Sequence, residues 1–151
     1  MNFNVPSIKV ITSEDYWIKR YDRNGNSGRG SYGNLAQFKA NIINNFIQEH
    51  DIQTTVEFGC GDGNQLSYFV CNSYTGYDVS PVAIDLCRER YKADPTKSFH
   101  LLKDYRGERF DMALSLDVIF HLIEDEVFER HLALLFSSAK RYVIIYSSNH
   151  N

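Results

Sequence analysis

Long hydrophobic runs are missing from this chain. No apolar run is longer than Tyr142–Tyr146, against the roughly 20 residues that span a bilayer. Cysteine is scarce: Cys60, Cys71 and Cys87 are an odd number with no C-x-x-C pair, which points to neither a disulfide framework nor a zinc site. An excess of positive charge is also lacking. Sixteen Lys and Arg against 19 Asp and Glu leave a net charge of −3, which argues against a broad nucleic-acid footprint. Met1–Ile11 carries Asn2, Asn4, Pro6 and Lys9 among its apolar residues, so it is not read as a signal peptide. What is present is 151 residues, 43% of them apolar, enough for one cytoplasmic domain with a hydrophobic core.

The one compositional oddity is Asn24–Gly33, which holds four glycines in ten residues and reads as a loop. Before it, Glu14–Tyr21 suggests a short helix. After it, Leu35, Phe38, Ile42, Ile43, Phe46 and Ile47 recur at helical spacing, so Asn34–His50 is an expected amphipathic helix. Strands are expected at Thr54–Phe58, Tyr74–Val79, Ser98–Leu102, Phe110–Leu116 and Tyr142–Ser147. Helical stretches are expected around Asn64–Cys71, from Ser80-Pro81 (N-cap, then proline at the first position) to about Lys92, and over Glu124–Phe136. This alternation predicts an α/β fold with a mainly parallel sheet and helices on both faces.

The most informative stretch is Glu57-Phe58-Gly59-Cys60-Gly61-Asp62-Gly63-Asn64. A strand runs into glycines at alternate positions and then opens a turn. Glycines there allow a sharp bend and let a ligand approach the backbone. A plain strand-to-helix turn needs one glycine. Nicotinamide dinucleotide folds use G-x-G-x-x-G, whereas this spacing is G-x-G-x-G with the carboxylate of Asp62 inside the turn, which would repel a pyrophosphate. Asp78 follows 19 residues after Gly59, at the tip of the second expected strand, where an acid can accept hydrogen bonds from both hydroxyls of a ribose. The alternative for Asp78 is a charge ahead of the Ser80-Pro81 helix start.

With these motifs in this order, followed by F-D-M-A-L-S-L-D-V-I-F-H-L and R-Y-V-I-I-Y, the segment Thr54–Ser147 resembles the class I S-adenosylmethionine-dependent methyltransferases. The resemblance implies a Rossmann-like three-layer sandwich of about five strands in the order 3-2-1-4-5. It implies S-adenosylmethionine as cofactor and S-adenosylhomocysteine as product. Gly59, Gly61 and Gly63 would pack against the methionine part and ribose, with Cys60 and Val79 beside them. Glu57 would orient the amino group through the turn, Asp78 would hold the ribose, and Asp104 would approach the adenine. Leu116 and Asp117 would lie near the reactive end. Family members usually continue with a helix and an antiparallel pair of strands, which this sequence lacks. Residues 1–33 then read as an N-terminal cap with a glycine-rich loop, and 34–151 as the cofactor-binding core of a single domain. Asp15-Tyr16-Trp17 through Gly33 is similar to the lead-in of a subgroup related to carbohydrate-modifying enzymes, and the expected acceptor is a hydroxyl of a small sugar or glycan precursor. The glycine loop is expected to fold over the cofactor and exclude water.

Methyl transfer from a sulfonium needs mainly proximity and orientation, and a hydroxyl acceptor needs a base. His121 is the candidate, since imidazole titrates near neutrality; the alternative is a hydrogen-bonded structural histidine. Asp117 and His121 stand four apart, so a helix would put both on one face, but no third ligand supports a metal. The Cys60 thiol has no base near it and suits packing. Lys19, Arg20, Arg23 and Arg29 flank the loop, as phosphate ligands or as solvated residues. An apolar edge at Tyr142–Ser147 invites a second copy or a partner chain. The competing function is a cofactor-binding module that needs a partner to act.

Overall fold

The computed structural model describes residues 11–147; the reading of Met1–Ile11 falls outside them except for its last residue. Along the chain come α1 (Ser13–Asp22), α2 (Gly33–Glu49), β1 (Thr54–Phe58), β2 (Ser73–Asp78), α3 (Pro81–Arg90), β3 (Lys97–Leu101), β4 (Phe110–Leu116), α4 (Asp125–Ser138) and β5 (Ala139–Tyr146). The strands form one sheet in the order β3-β2-β1-β4-β5, and every pairing is parallel. This is the Rossmann-like α/β arrangement that the alternating pattern predicts. Registers such as Val56↔Thr75 and Val56↔Ala113 put β1 at the centre, where chain connections leave in opposite directions. Ligands in such sheets bind at the carboxyl ends of the strands beside that switch point.

Alternation along the strands sorts the core into two faces. Ile43 and Ile47 of α2 pack with Met112, Leu114 and Leu116, while Ile84 and Cys87 of α3 pack with Tyr74 and Phe99. On the other face Leu135 of α4 packs with Val56, Phe58 and Ala113. The β3–β4 crossover contains no α-helix. It descends through a short 3-10 turn at Leu102–Asp104 and lays Tyr105 edge-on against Phe58 and Tyr77, each at 5.4 Å, covering the part of the face that α4 does not reach.

Three expectations change. The stretch Asn64–Cys71 is not an α-helix: a 3-10 turn spans Gln65–Tyr68. The Asn44 side chain explains this, since it donates to Tyr68 O at 2.9 Å and accepts from Val70 N at 2.8 Å, holding that backbone in an extended path. The buried side of α2 is also turned from the one its largest apolar residues mark. Ala36, Lys39, Ala40, Ile43 and Ile47 face inward, while Leu35, Phe38 and Ile42 are half exposed. Finally, β5 begins at Ala139, three residues before the expected start, and pairs with Phe110 across an irregularity in β4. The Ser80 cap is present, its hydroxyl accepting from Ala83 N at 3.3 Å. Among the described residues no helix is long and apolar enough to cross a membrane.

Candidate functional site

A cavity of about 1220 Å³ opens at the carboxyl ends of β1, β2 and β4. Its walls include Gly59, Gly61, Asp78, Val79, Leu116 and Asp117, six of the sequence-derived site residues. The backbone turns out of β1 with Gly59 N and Cys60 N both donating to Tyr77 O, at 2.7 and 3.1 Å, which fastens the turn to β2. Gly61 has φ +57°, a left-handed conformation that favours glycine, and a Cβ there would run into the Ser27 hydroxyl.

Asp78 is buried at the tip of β2. Its Oδ2 accepts from Gly61 N and its Oδ1 from Ser80 N, both at 2.9 Å. Each oxygen keeps a lone pair beyond these bonds, so the carboxylate can still receive two hydroxyl donors from the cavity. Burial pushes its pKa up, against the opposing backbone hydrogen bonds.

The other expected ligands are placed differently. Glu57 is buried but absent from the cavity wall; its Oε2 accepts from the Tyr74 hydroxyl at 2.5 Å. Burial raises its pKa to about 7, although Tyr74 and the Lys39 charge pull it down. Cys60 packs among Leu66, Tyr74 and Phe99 because its side chain points away from the cavity, toward Gly76. Gly63 serves packing too: a Cβ would touch Cys87 Sγ and Tyr91 at 3.0 Å, and the Tyr91 hydroxyl donates to Gly63 O at 2.7 Å. Asp104 is exposed on its 3-10 turn, while its neighbours Leu102, Lys103 and Tyr105 reach the cavity.

The glycine loop crosses over this turn. Asp62 Oδ2 accepts from Ser27 N at 3.1 Å and from the Tyr32 hydroxyl at 2.6 Å, and Asp62 N donates to Ser27 Oγ at 2.9 Å. Burial pushes the Asp62 pKa up, but the bonds from Tyr32, Asn64 and Ser27 outweigh it and hold the group below the usual carboxylate range. Asp62 is therefore a loop anchor.

Comparison with known proteins agrees with this geometry. The family described as "Methyltransferase domain" matches residues 56–139, more than half of the chain. The chain belongs to the class I S-adenosylmethionine-dependent methyltransferases. Among solved structures it is similar to the N-methyltransferase NodS from Bradyrhizobium japonicum in complex with S-adenosylhomocysteine (17% identity, TM-score 0.67, covering 82% of this chain and 67% of that one). It is likewise similar to an amino pentose methyltransferase from Micromonospora echinaspora with bound S-adenosylmethionine (17%, 0.66, 85% and 56%). A third is the magnesium protoporphyrin IX methyltransferase from Synechocystis with bound S-adenosylmethionine (17%, 0.66, 91% and 76%). At these identities the likeness is one of fold. The chain spans 56% of DesVI from Streptomyces venezuelae and 35% of the carbon methyltransferase CurJ. No curated protein matches it.

In this methyltransferase domain the end of β4 carries a feature the sequence did not announce. Lys39, a buried lysine of α2, forms an ion pair with Asp117 and places its ammonium 5.2 Å from the Tyr146 ring centre. Asp117 itself has φ +58° and is followed by a 3-10 turn at Ile119–His121, so the helical face expected to join it to His121 does not form. His121 packs edge-on against Trp17 at 4.9 Å. Trp17 lines the cavity and His121 does not. Burial lowers the His121 pKa, Asp117 opposes that, and Arg20 adds to it.

His131 of α4 carries no signal in the sequence, since it sits in an ordinary amphipathic pattern. It lines the cavity, and its Nε2 lies 2.8 Å from the buried Ser115 hydroxyl. Burial depresses its pKa to about 4. Its folded pKa is thus below the unfolded value, so the unfolded state binds more protons between about pH 4 and 6.5, and the stability held above 6.5 is lost on acidification. The loss approaches about 3 kcal/mol by pH 4. Glu57 acts oppositely, because its raised pKa adds stability as pH falls from about 7 toward 4.5. Melting temperatures between pH 7.5 and 5 should therefore fall further for the native protein than for His131→Gln. Parallel curves would show that His131 is not the group titrating.

Proposed function

We propose that this chain, as a single domain with residues 1–33 as cap and 34–151 as core, transfers a methyl group from S-adenosylmethionine to a hydroxyl of a small sugar or glycan precursor. The observation that carries the reading is the cavity at the switch point, walled by the backbone of Gly59 and Gly61 and by the Asp78 carboxylate that accepts from Gly61 N. These residues fit the cofactor: a glycine cradle for its methionine part, an acid for its ribose, and Val79 and Leu102 as apolar walls for its adenine. When bound, the sulfonium supplies an already activated methyl group. The chain's residues supply position, since holding two reactants in line is worth several kcal/mol, about 7 or more in favourable cases.

Asp117 reaches the cavity with Oδ2 bound to Lys39, leaving Oδ1 to orient an acceptor hydroxyl. His121 stands behind Trp17 rather than on the cavity wall, and it is the general base of this reading for an acceptor that enters beside Trp17; burial holds it toward its neutral form. Trp17 beside it lines the cavity and offers an aromatic surface suited to a sugar ring. The sugar preference also draws on the likeness of the N-terminal segment to carbohydrate-modifying relatives.

S-adenosylhomocysteine should raise the melting temperature while NAD leaves it unchanged. Tritiated S-adenosylmethionine should then label sugar-nucleotide acceptors. His121→Gln is expected to lower kcat about a hundredfold, the usual scale for losing a general base, with product affinity unchanged. Stabilisation by NAD, or by neither ligand, would end this reading. A second reading, a cofactor-binding module completed by further chain or a partner, is favoured by the 56% span of the amino pentose enzyme. It predicts stabilisation without transfer.

A further inference from the structure

We propose that Ser27–Tyr32 is a gate over the glycine-turn end of the site and that Asp62 is its latch. The inference rests on the cofactor reading above and adds the step by which ligand enters and leaves. The strap runs from the turn after β1 to the end of β4. At one end Ser27 N and the Tyr32 hydroxyl donate to Asp62, and the Ser27 hydroxyl lies 2.8 Å from that of Tyr21. In the middle Asn64 Nδ2 donates to Ser31 O at 2.7 Å. At the other end Gly30 lies so close to the Asp117 carboxylate that a Cβ would collide with it.

Ser27 and Ser31 contribute directly to the cavity wall, so this crossing closes the cavity above Gly61. None of Ser27, Gly28, Arg29, Gly30, Ser31 or Tyr32 is fully buried. Closure therefore depends on polar bonds, chiefly the two to one ionised carboxylate, which are stronger than neutral ones. Gly28 lies within the strap at φ +84° and Gly33 follows it at φ +57°, where a Cβ would meet nothing within 4 Å. The strap thus has room to swing at its α2 end. Asp62 acts through the strap and need not touch ligand, so it is a positioning residue.

A latch has a kinetic signature. Weakening it makes opening easier whether or not ligand is inside, so entry and exit accelerate together and affinity hardly changes. Removal of a ligand contact raises the exit rate alone. Tyr32→Phe deletes one latch bond without touching the glycine turn, and Asp62→Asn removes the charge that strengthens both. Stopped-flow binding of S-adenosylhomocysteine should show association and dissociation both about tenfold faster in each variant, with Kd within about threefold, as expected for losing one charge-assisted hydrogen bond. Trypsin should cut after Arg29 faster in both ligand-free variants. Unchanged rates, or faster dissociation alone, would overturn the gate while leaving the cofactor reading standing. A native protein that binds no S-adenosylhomocysteine, even with faster cutting in the variants, would overturn both.

Discussion

Asp78→Ala is expected to lose essentially all thermal stabilisation by S-adenosylhomocysteine. A ligand at about 100 times its Kd adds roughly 2.7 kcal/mol to the native protein, which is several degrees for a domain of this size. The Asp78 carboxylate is the only acid among the sequence-derived site residues that both ends β2 and lines the cavity. Two hydrogen bonds from ribose hydroxyls to a charged acceptor are worth about 1.5–3 kcal/mol each, so affinity should drop at least a hundredfold. The same substitution strips acceptors from Gly61 N and Ser80 N. Leaving buried donors unsatisfied costs about 1–3 kcal/mol apiece, so the ligand-free variant should also melt several degrees lower. Calorimetric titration of Asp78→Ala and Asp78→Asn separates the two effects. An Asp78→Ala protein that still binds with native affinity would remove Asp78 from the site.

Lys39→Met should produce the largest loss of stability. Lys39 is 2% exposed, and its ammonium meets the Asp117 carboxylate inside the fold. Removing one partner of a buried pair leaves the other charge uncompensated, typically at about 3–5 kcal/mol. That is roughly 6–20 °C in melting temperature for about 150 residues. Pairing it with Asp117→Asn should recover part of the loss, because the stranded charge is then gone. Denaturant melts of the two single variants and the double variant form the cycle that isolates the coupling. Additive single effects would mean that the two groups do not depend on each other. Stability recovered in the double variant without recovered transfer would separate folding from catalysis at this pair.

Much of the fold was legible because it rests on local signals. The β1 and β4 limits coincide with the expected ones, since apolar β-rich runs there end at glycine or at Asp117. Ser80-Pro81 marks the start of α3 by its own chemistry. The path of 64–71 was not legible, because its backbone partner is the Asn44 side chain, some 20 residues away in sequence. The orientation of α2 was not either. Hydrophobicity alone would bury Leu35, Phe38 and Ile42, yet Lys39 is the inward residue, and only a carboxylate arriving from β4 makes that tolerable.

The sequence by itself determined the parallel α/β class, the glycine turn and the acid at the tip of β2. Each is written in contiguous residues whose conformational preferences are local. The tertiary structure alone decided which polar groups share a cavity. Asp62 turns from an anion repelling phosphate into the anchor of a loop 30 residues upstream. Asp117 leaves its nearby histidine for a lysine 78 positions away. Glu57 and Cys60 withdraw into the core while their neighbours Gly59 and Gly61 face the cavity. Hydrogen bonds and ion pairs are short-ranged and directional, so their partners are chosen by the packed arrangement of elements rather than by distance along the chain.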